Sequence, residues 1–115
     1  MIKQNPDLLR NTKMKSLLNE QTEQGDSALH LAVSTENYEA CKLLLEEGAD
    51  VNIRKTKNLV TPLHLASKSA KNIEIVKLLV ANGANVNAID ATKETALHKA
   101  SRNNRIEIFH YLLER

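Results

Sequence analysis

Aromatic side chains are scarce in this sequence: one Phe, two Tyr and no Trp among 115 residues. A core of stacked rings is therefore excluded, and the interior has to be aliphatic, which suits thin layers of small side chains. A single cysteine, Cys41, rules out a disulfide framework within the chain. It lies in an apolar run and reads as a small buried hydrophobe rather than a reactive thiol. Three widely separated glycines leave no phosphate-cradling loop. No apolar stretch approaches the roughly 20 residues of a membrane-spanning helix, so membrane insertion is not expected. The opening Met1-Ile2-Lys3-Gln4-Asn5 lacks the apolar centre of a secretory signal. One domain in an intracellular setting, cytoplasmic or nuclear, is the expectation.

What the sequence does have is repetition. Ser27-Ala28-Leu29-His30-Leu31-Ala32, Thr61-Pro62-Leu63-His64-Leu65-Ala66 and Thr95-Ala96-Leu97-His98-Lys99-Ala100 share one pattern, and His30, His64 and His98 are equally spaced. A fixed period of roughly 20–50 residues marks stacked supersecondary units. The hydroxyl residue suits a helix N-cap, proline suits the first helical position, and the leucines give an apolar face. The small Ala32, Ala66 and Ala100 let a neighbouring helix approach. Two further landmarks, Gly48-Ala49-Asp50-Val51-Asn52 and Gly83-Ala84-Asn85-Val86-Asn87, follow the apolar runs Ala40 to Leu45 and Ile73 to Ala81. Glycine just past such a run reads as a left-handed helix stop.

These motifs, together with Glu74-Ile75-Val76-Lys77-Leu78-Leu79, resemble the ankyrin repeat over roughly residues 15–115. The resemblance implies an all-α solenoid of stacked helix-turn-helix units with finger-like connecting loops. Residues 1–24 read as an N-terminal capping helix and a short finger. Asn5-Pro6-Asp7 is its start, and no Gly-Ala-Asp-Val-Asn exit precedes the finger. Repeat one spans 25–58, repeat two 59–92, and repeat three 93–115, which is incomplete. In each repeat helix A starts at the Ser or Thr. Asn37 and Asn72 are the expected caps of the second helices, helix B. In repeat one the packed residues of helix B are Ala40, Cys41, Leu43, Leu44 and Leu45. The family period is about 33 residues. Relative to its neighbours this chain carries one extra residue between Ser67 and Asn72 and another between Ile53 and Val60. Lys93 stands where the family usually has a finger glycine. Helix B of repeat three, with Ile106, Ile108, Phe109, Tyr111, Leu112 and Leu113, has no polar outer face, so further repeats or a partner are expected to cover it.

Charge is unevenly placed. Residues 16–52 sum to −7 and residues 53–105 to +7, although the whole chain carries only +2. In a linear stack this separates an acidic N-terminal half from a basic C-terminal half and orients a partner. By the resemblance, contact residues lie on the concave side, in Ile53–Asn58 and Ile89–Glu94 and at the ends of helix A. They are Arg54, Lys55, Thr56, Lys57, Asn58, Lys68, Ser69, Asp90, Thr92, Lys93, Arg102 and Asn103, with Ser34 and Thr35. Arg54, Lys55, Lys57 and Arg102 are the residues expected to meet carboxylates of an acidic protein partner.

Catalytic and metal chemistry find no support. Three histidines in three layers cannot share one ion, because adjacent helix axes lie about 8–10 Å apart and zinc ligands about 2 Å from the metal. The resemblance implies instead that each imidazole bonds its own Ser or Thr and the next turn. His110, alone on helix B, is expected to be exposed. A Ser–His pair that recurs as Thr–His is a cap and not part of a triad. No enzyme, no cofactor and no metal site is expected. The basic half lacks aromatics for base stacking and any recognition-helix motif, so a solvated charged face ranks first, an acidic protein partner next, and nucleic acid and anionic lipid last. A protein-interaction module, part of a larger scaffold or regulatory protein, is the leading reading. An inhibitor is the alternative, since Gly25-Asp26-Ser27-Ala28-Leu29-His30 is loosely similar to the first repeat of the Rel-binding ankyrin proteins.

Overall fold

In the computed structural model, residues 17–115 are described; most of the expected capping helix of residues 1–24 lies outside them. Six α-helices follow in three pairs: α1 (Ala28–Ser34) with α2 (Tyr38–Glu46), α3 (Pro62–Ala66) with α4 (Ile73–Ala81), and α5 (Ala96–Arg102) with α6 (Ile106–Leu113). Each first helix packs on its own second helix. The first helices α1, α3 and α5 stack in one row, and α2, α4 and α6 in another. The described residues contain no strand.

Local chemistry starts each first helix in the same way. The Ser27 hydroxyl accepts from the His30 backbone N–H at 3.2 Å, and His30 Nδ1 accepts from the Ser27 N–H at 3.1 Å. Thr61 with His64 and Thr95 with His98 repeat this reciprocal cap, which satisfies two of the N–H groups left over at a helix start. Because Nδ1 accepts, the other ring nitrogen carries the proton and can donate. His30 Nε2 does so to the Val60 carbonyl at 2.9 Å, and His64 Nε2 to that of Glu94 at 2.8 Å. His30 and His64 thus fasten their own helices to the finger of the next layer, whereas His98 bonds only its own cap residue, Thr95. Burial lowers the pKa of both rings, the main cause being loss of solvent around the charged form.

The interior is thin and aliphatic. Leu29, Val33, Cys41, Leu63, Ala66, Ile75, Val76, Leu79, Ala100 and Ile108 are buried, and each large side chain among them contributes roughly 1.5–3 kcal/mol. Ala66 and Ala100 are wholly buried, which lets successive first helices stack closely. One leucine expected to pack is outside: Leu43 is 59% exposed, and Leu31 on the first helix is 46% exposed as well. Short helices wrapped by only one neighbour on each side leave those faces uncovered.

The glycines after the second helices do turn left-handed, with φ +102° at Gly48 and +92° at Gly83. Gly25 has a second reason to be glycine, since a Cβ there would lie 2.9 Å from the Thr56 backbone nitrogen. Leu59 and Lys93, which take the place of Gly25 in the second and third repeats, adopt the same left-handed conformation at φ +60° and +64°. The extra residue of repeat two is absorbed between the helices. Where repeats one and three turn through a left-handed Glu36 or Asn104, repeat two inserts a 3₁₀ turn, Ala70–Asn72, capped by Ser69. That insertion overturns one expectation. Asn37 caps α2 through Ala40 N–H at 3.0 Å, whereas Asn72 makes no side-chain cap, and its buried Oδ1 has no partner among the described residues.

Candidate partner-binding surface

The fingers connect one pair to the next, and side chains at matching positions tie them into a ladder. Asn52 Oδ1 accepts from the Asn85 N–H at 2.7 Å while its Nδ2 donates to the Gly83 carbonyl at 3.1 Å. One layer earlier, Asn19 Oδ1 accepts from the Asp50 N–H at 2.9 Å. Asn19 therefore does the work of an exit asparagine although no Gly-Ala-Asp-Val-Asn surrounds it. Gln21 Nε2 donates to the Arg54 carbonyl at 2.6 Å, and an Arg54 guanidinium N–H donates to that of Ile89 at 2.7 Å.

This ladder engages several residues singled out for contact. Lys55 is paired with Asp26 at 2.7 Å, both side chains 18% exposed. Thr56 lies against Gly25. Asn58 Oδ1 accepts from the Val60 N–H at 3.2 Å, and its carbonyl from the Ala91 N–H at 2.9 Å. Ser69 donates to Glu36 at 3.0 Å, and Asn103 Nδ2 to the Lys99 carbonyl at 2.8 Å. Arg54 is exposed but bound to Ile89, and the backbone of exposed Lys68 accepts from Arg105 Nε at 2.7 Å.

A charge cluster that the sequence did not announce sits between the third finger and α5. Lys99 Nζ lies 2.8 Å from both Asp90 and Glu94, and Arg102 pairs with Glu94. Asp90 is only 5% exposed. Its Oδ1 also accepts from the Thr92 N–H, the Thr92 hydroxyl and the Glu94 N–H, at 2.9, 2.6 and 3.0 Å. Burial alone would raise its pKa. The bonds from Lys99 and Thr92 outweigh that and hold it at about 2. The one available signal was positional: Lys99 occupies the place in the repeat that Leu31 and Leu65 hold in the first two, a place otherwise apolar.

Of the ten basic residues between 53 and 105, Lys55, Lys77, Lys99 and Arg102 thus have carboxylates within 4 Å. Arg54, Lys57, Lys68, Lys71, Lys93 and Arg105 have none among the described residues. Of these, Lys57, Lys68, Lys71 and Lys93 are exposed and their side chains make no polar bond there. Lys57 and Lys93 sit on successive fingers, Lys68 and Lys71 in the loop between α3 and α4. The three capping histidines are held in separate layers, and among the described residues no group of three or more His, Cys, Asp or Glu is placed to hold a metal ion. Burial pushes the Cys41 thiol up to about 11, which leaves it protonated and unreactive at neutral pH. No helix of the described residues is long and apolar enough to cross a membrane.

A family model described as ankyrin repeats (3 copies) matches residues 54–115, and one described as ankyrin repeat matches residues 24–56. The chain is 33% identical over 99 residues to the transient receptor potential cation channel subfamily A member 1 of Homo sapiens, a match covering 86% of this chain and 9% of the channel. It is 41% identical over 86 residues to the ARF GTPase-activating protein Git of Drosophila melanogaster, covering 75% and 12%. A subunit of nuclear factor NF-kappa-B from Gallus gallus is 37% identical over 59 residues, covering 51% and 6%. The chain spans only 6 to 12% of the length of these relatives.

Proposed function

Because the chain belongs to the ankyrin-repeat family, whose members are in general protein-interaction modules and typically non-enzymatic, we propose that it binds an acidic segment of a partner protein along its fingers and first-helix ends. The observation that carries this reading is the set of four exposed ammonium groups, Lys57, Lys68, Lys71 and Lys93, with no carboxylate partner among the described residues. Their neighbours are locked by the interlayer ladder, so the backbone that carries them is stiff and little backbone entropy is lost on docking. Unpaired charge on a rigid support accelerates encounter with an opposite charge and selects against the wrong sign. Arg54, Lys55 and Arg102 then hold the surface in shape, and Lys57 is the one member of the expected quartet that meets the partner's carboxylates.

The matched segment is a small part of each relative, which supports reading this chain as a binding segment of a larger scaffold or regulatory protein. An intracellular setting, cytoplasmic or nuclear, fits a lone buried thiol. The similarity to the NF-kappa-B subunit favours a second reading, an inhibitor of a Rel-type partner, decided by direct binding to such a protein. For the main reading, the immobilised chain and its Lys57→Glu, Lys68→Glu, Lys71→Glu, Lys93→Glu variant are each cross-linked in lysate and the captured proteins identified. Loss of an acidic target from the variant supports the proposal. Identical capture by both, with both folded by circular dichroism, removes it.

A further inference from the structure

One face recurs along the row of first helices. Leu31, Leu65 and Lys99 each follow a capping histidine in α1, α3 and α5, and Ser34, Lys68 and Arg102 stand three residues further on, on the same side of each helix. In the third layer this side looks toward the fingers, since Lys99 reaches Asp90 and Glu94 and Arg102 reaches Glu94. The row forms a floor between the fingers and the first-helix ends. Its first two places are apolar: Leu31 is 46% exposed and Leu65 half-buried. The third is a cation with its charge turned inward, for Lys99 is 8% exposed and has two carboxylates at 2.8 Å. Lys55, at the base of the second finger, is likewise neutralised by Asp26. The free cations stand at the edges instead: Lys57 and Lys93 on the fingers, Lys68 and Lys71 where α3 runs into α4.

A partner that offered charge alone would engage the edges and leave Leu31 and Leu65 in water. A partner that fits both carries apolar side chains along its middle and carboxylates on either side of them. Spacing narrows its shape. Packed helices lie about 8–10 Å apart, so successive floor positions repeat at about that distance. An α-helix returns a side chain to the same face after seven residues, about 10.5 Å, and fills the gap with the residues at i+3 and i+4. An extended strand covers about 10 Å in three residues, which turns the second side chain to the opposite face. The first layer limits where the carboxylates lie. Glu23 and Glu36 are exposed there, Glu36 accepting from Ser69 at 3.0 Å. The acids therefore belong over the second and third layers, and only the apolar stripe runs back to Leu31. Building on the lysine surface described above, we propose that this groove takes an acidic amphipathic helix of the partner protein, with its apolar stripe on Leu31 and Leu65 and its carboxylates on the flanking lysines.

The test uses two peptides of about 16 residues with the same content of Glu, Leu and Ala. In one the leucines recur with the helical spacing of a single apolar stripe and the glutamates flank them; in the other the order is scrambled. A third peptide spaces the same acids and leucines with prolines. Affinity is read by fluorescence anisotropy and helix content by circular dichroism, for the 115-residue chain, its Leu31→Ser variant and the Lys57→Glu, Lys68→Glu, Lys71→Glu, Lys93→Glu variant. Expected are binding of the amphipathic peptide at least about 10-fold tighter than of the scrambled one and a gain of helix on binding. Leu31→Ser should weaken the amphipathic peptide alone, by about 5-fold, and the charge reversal should weaken both. The comparison of peptides on the unaltered chain holds whether or not a variant folds. Equal affinity for ordered and scrambled peptides, binding without a gain of helix, or equally tight binding of the proline-spaced peptide overturns the proposal. If the charge reversal still weakens the peptides in that case, the acidic-segment reading stands without the helix; if it weakens neither, both fall.

Discussion

Replacing Asp90 by Asn probes the buried charge cluster most directly. The carboxylate is 5% exposed, lies 2.8 Å from Lys99 Nζ and accepts three further bonds, from the Thr92 N–H and hydroxyl and the Glu94 N–H. Asn keeps an acceptor for the finger N–H groups but turns an NH₂ toward the ammonium, so Lys99 loses its more buried counter-charge. The difference between the ordinary 3.8 and the folded value of about 2 corresponds to roughly 2 kcal/mol at about 1.36 kcal/mol per pH unit. The sign follows from the depressed pKa. Below the unfolded value the unfolded chain binds more protons, so this contribution is complete above pH 4, falls to about half near pH 3, and is lost as pH drops through about 2. Urea unfolding of the two proteins at pH 7, 5, 4 and 3 reads this out. At pH 7 Asp90→Asn should be less stable by about 2 kcal/mol, equivalent to about 8 °C in a domain of this size, and the gap should narrow to about half by pH 3. A gap that stays constant from pH 7 to pH 3, or is below about 0.5 kcal/mol at pH 7, would refute the assignment of stabilising ionisation to this site.

Other expected outcomes rest on the ladder and the turns. Lys93→Gly should raise stability by about 0.5 kcal/mol, because a left-handed non-glycine costs roughly 1–2 kcal/mol and glycine's extra unfolded-state entropy gives back roughly 0.5–1; a lower melting temperature would contradict this. Asn52→Ala removes both interlayer amide bonds and should cost about 1–2 kcal/mol, measured by urea unfolding, with a loss under about 0.3 kcal/mol counting against an energetic role for the ladder. His30 and His64 have lowered pKa values through burial. The stability they lend is therefore complete above the ordinary 6.5 and declines as pH falls below it. The melting temperature should fall between pH 7 and pH 5, and a His30→Gln, His64→Gln chain should show a shallower slope; parallel curves would place the titration elsewhere.

The stack was legible in the sequence because each layer is built by short-range chemistry. A Ser or Thr three residues before a histidine forms its cap within one turn, and a glycine after an apolar run stops a helix locally. Start and stop signals of this kind placed α1, α3 and α5, and Ile73–Ala81 emerges as α4 with the bounds its apolar run suggested. Asn72 shows where such reading fails. Its spacing imitates Asn37, but one inserted residue turns the backbone into a 3₁₀ turn and points the amide into the interior. Leu31 and Leu43 were apolar by pattern yet exposed, since burial depends on whether a neighbouring layer reaches them.

For the binding surface the division is sharper. Composition alone established that residues 53–105 are rich in cations and poor in aromatics, since those are properties of covalent structure. Which cations remain available was settled only when the layers came together, with Lys55 meeting Asp26 of the preceding finger and Arg54 reaching Ile89 of the following one. A local motif carries its partner with it in the chain; an ion pair between layers exists only after stacking has brought the two charges within a few ångströms.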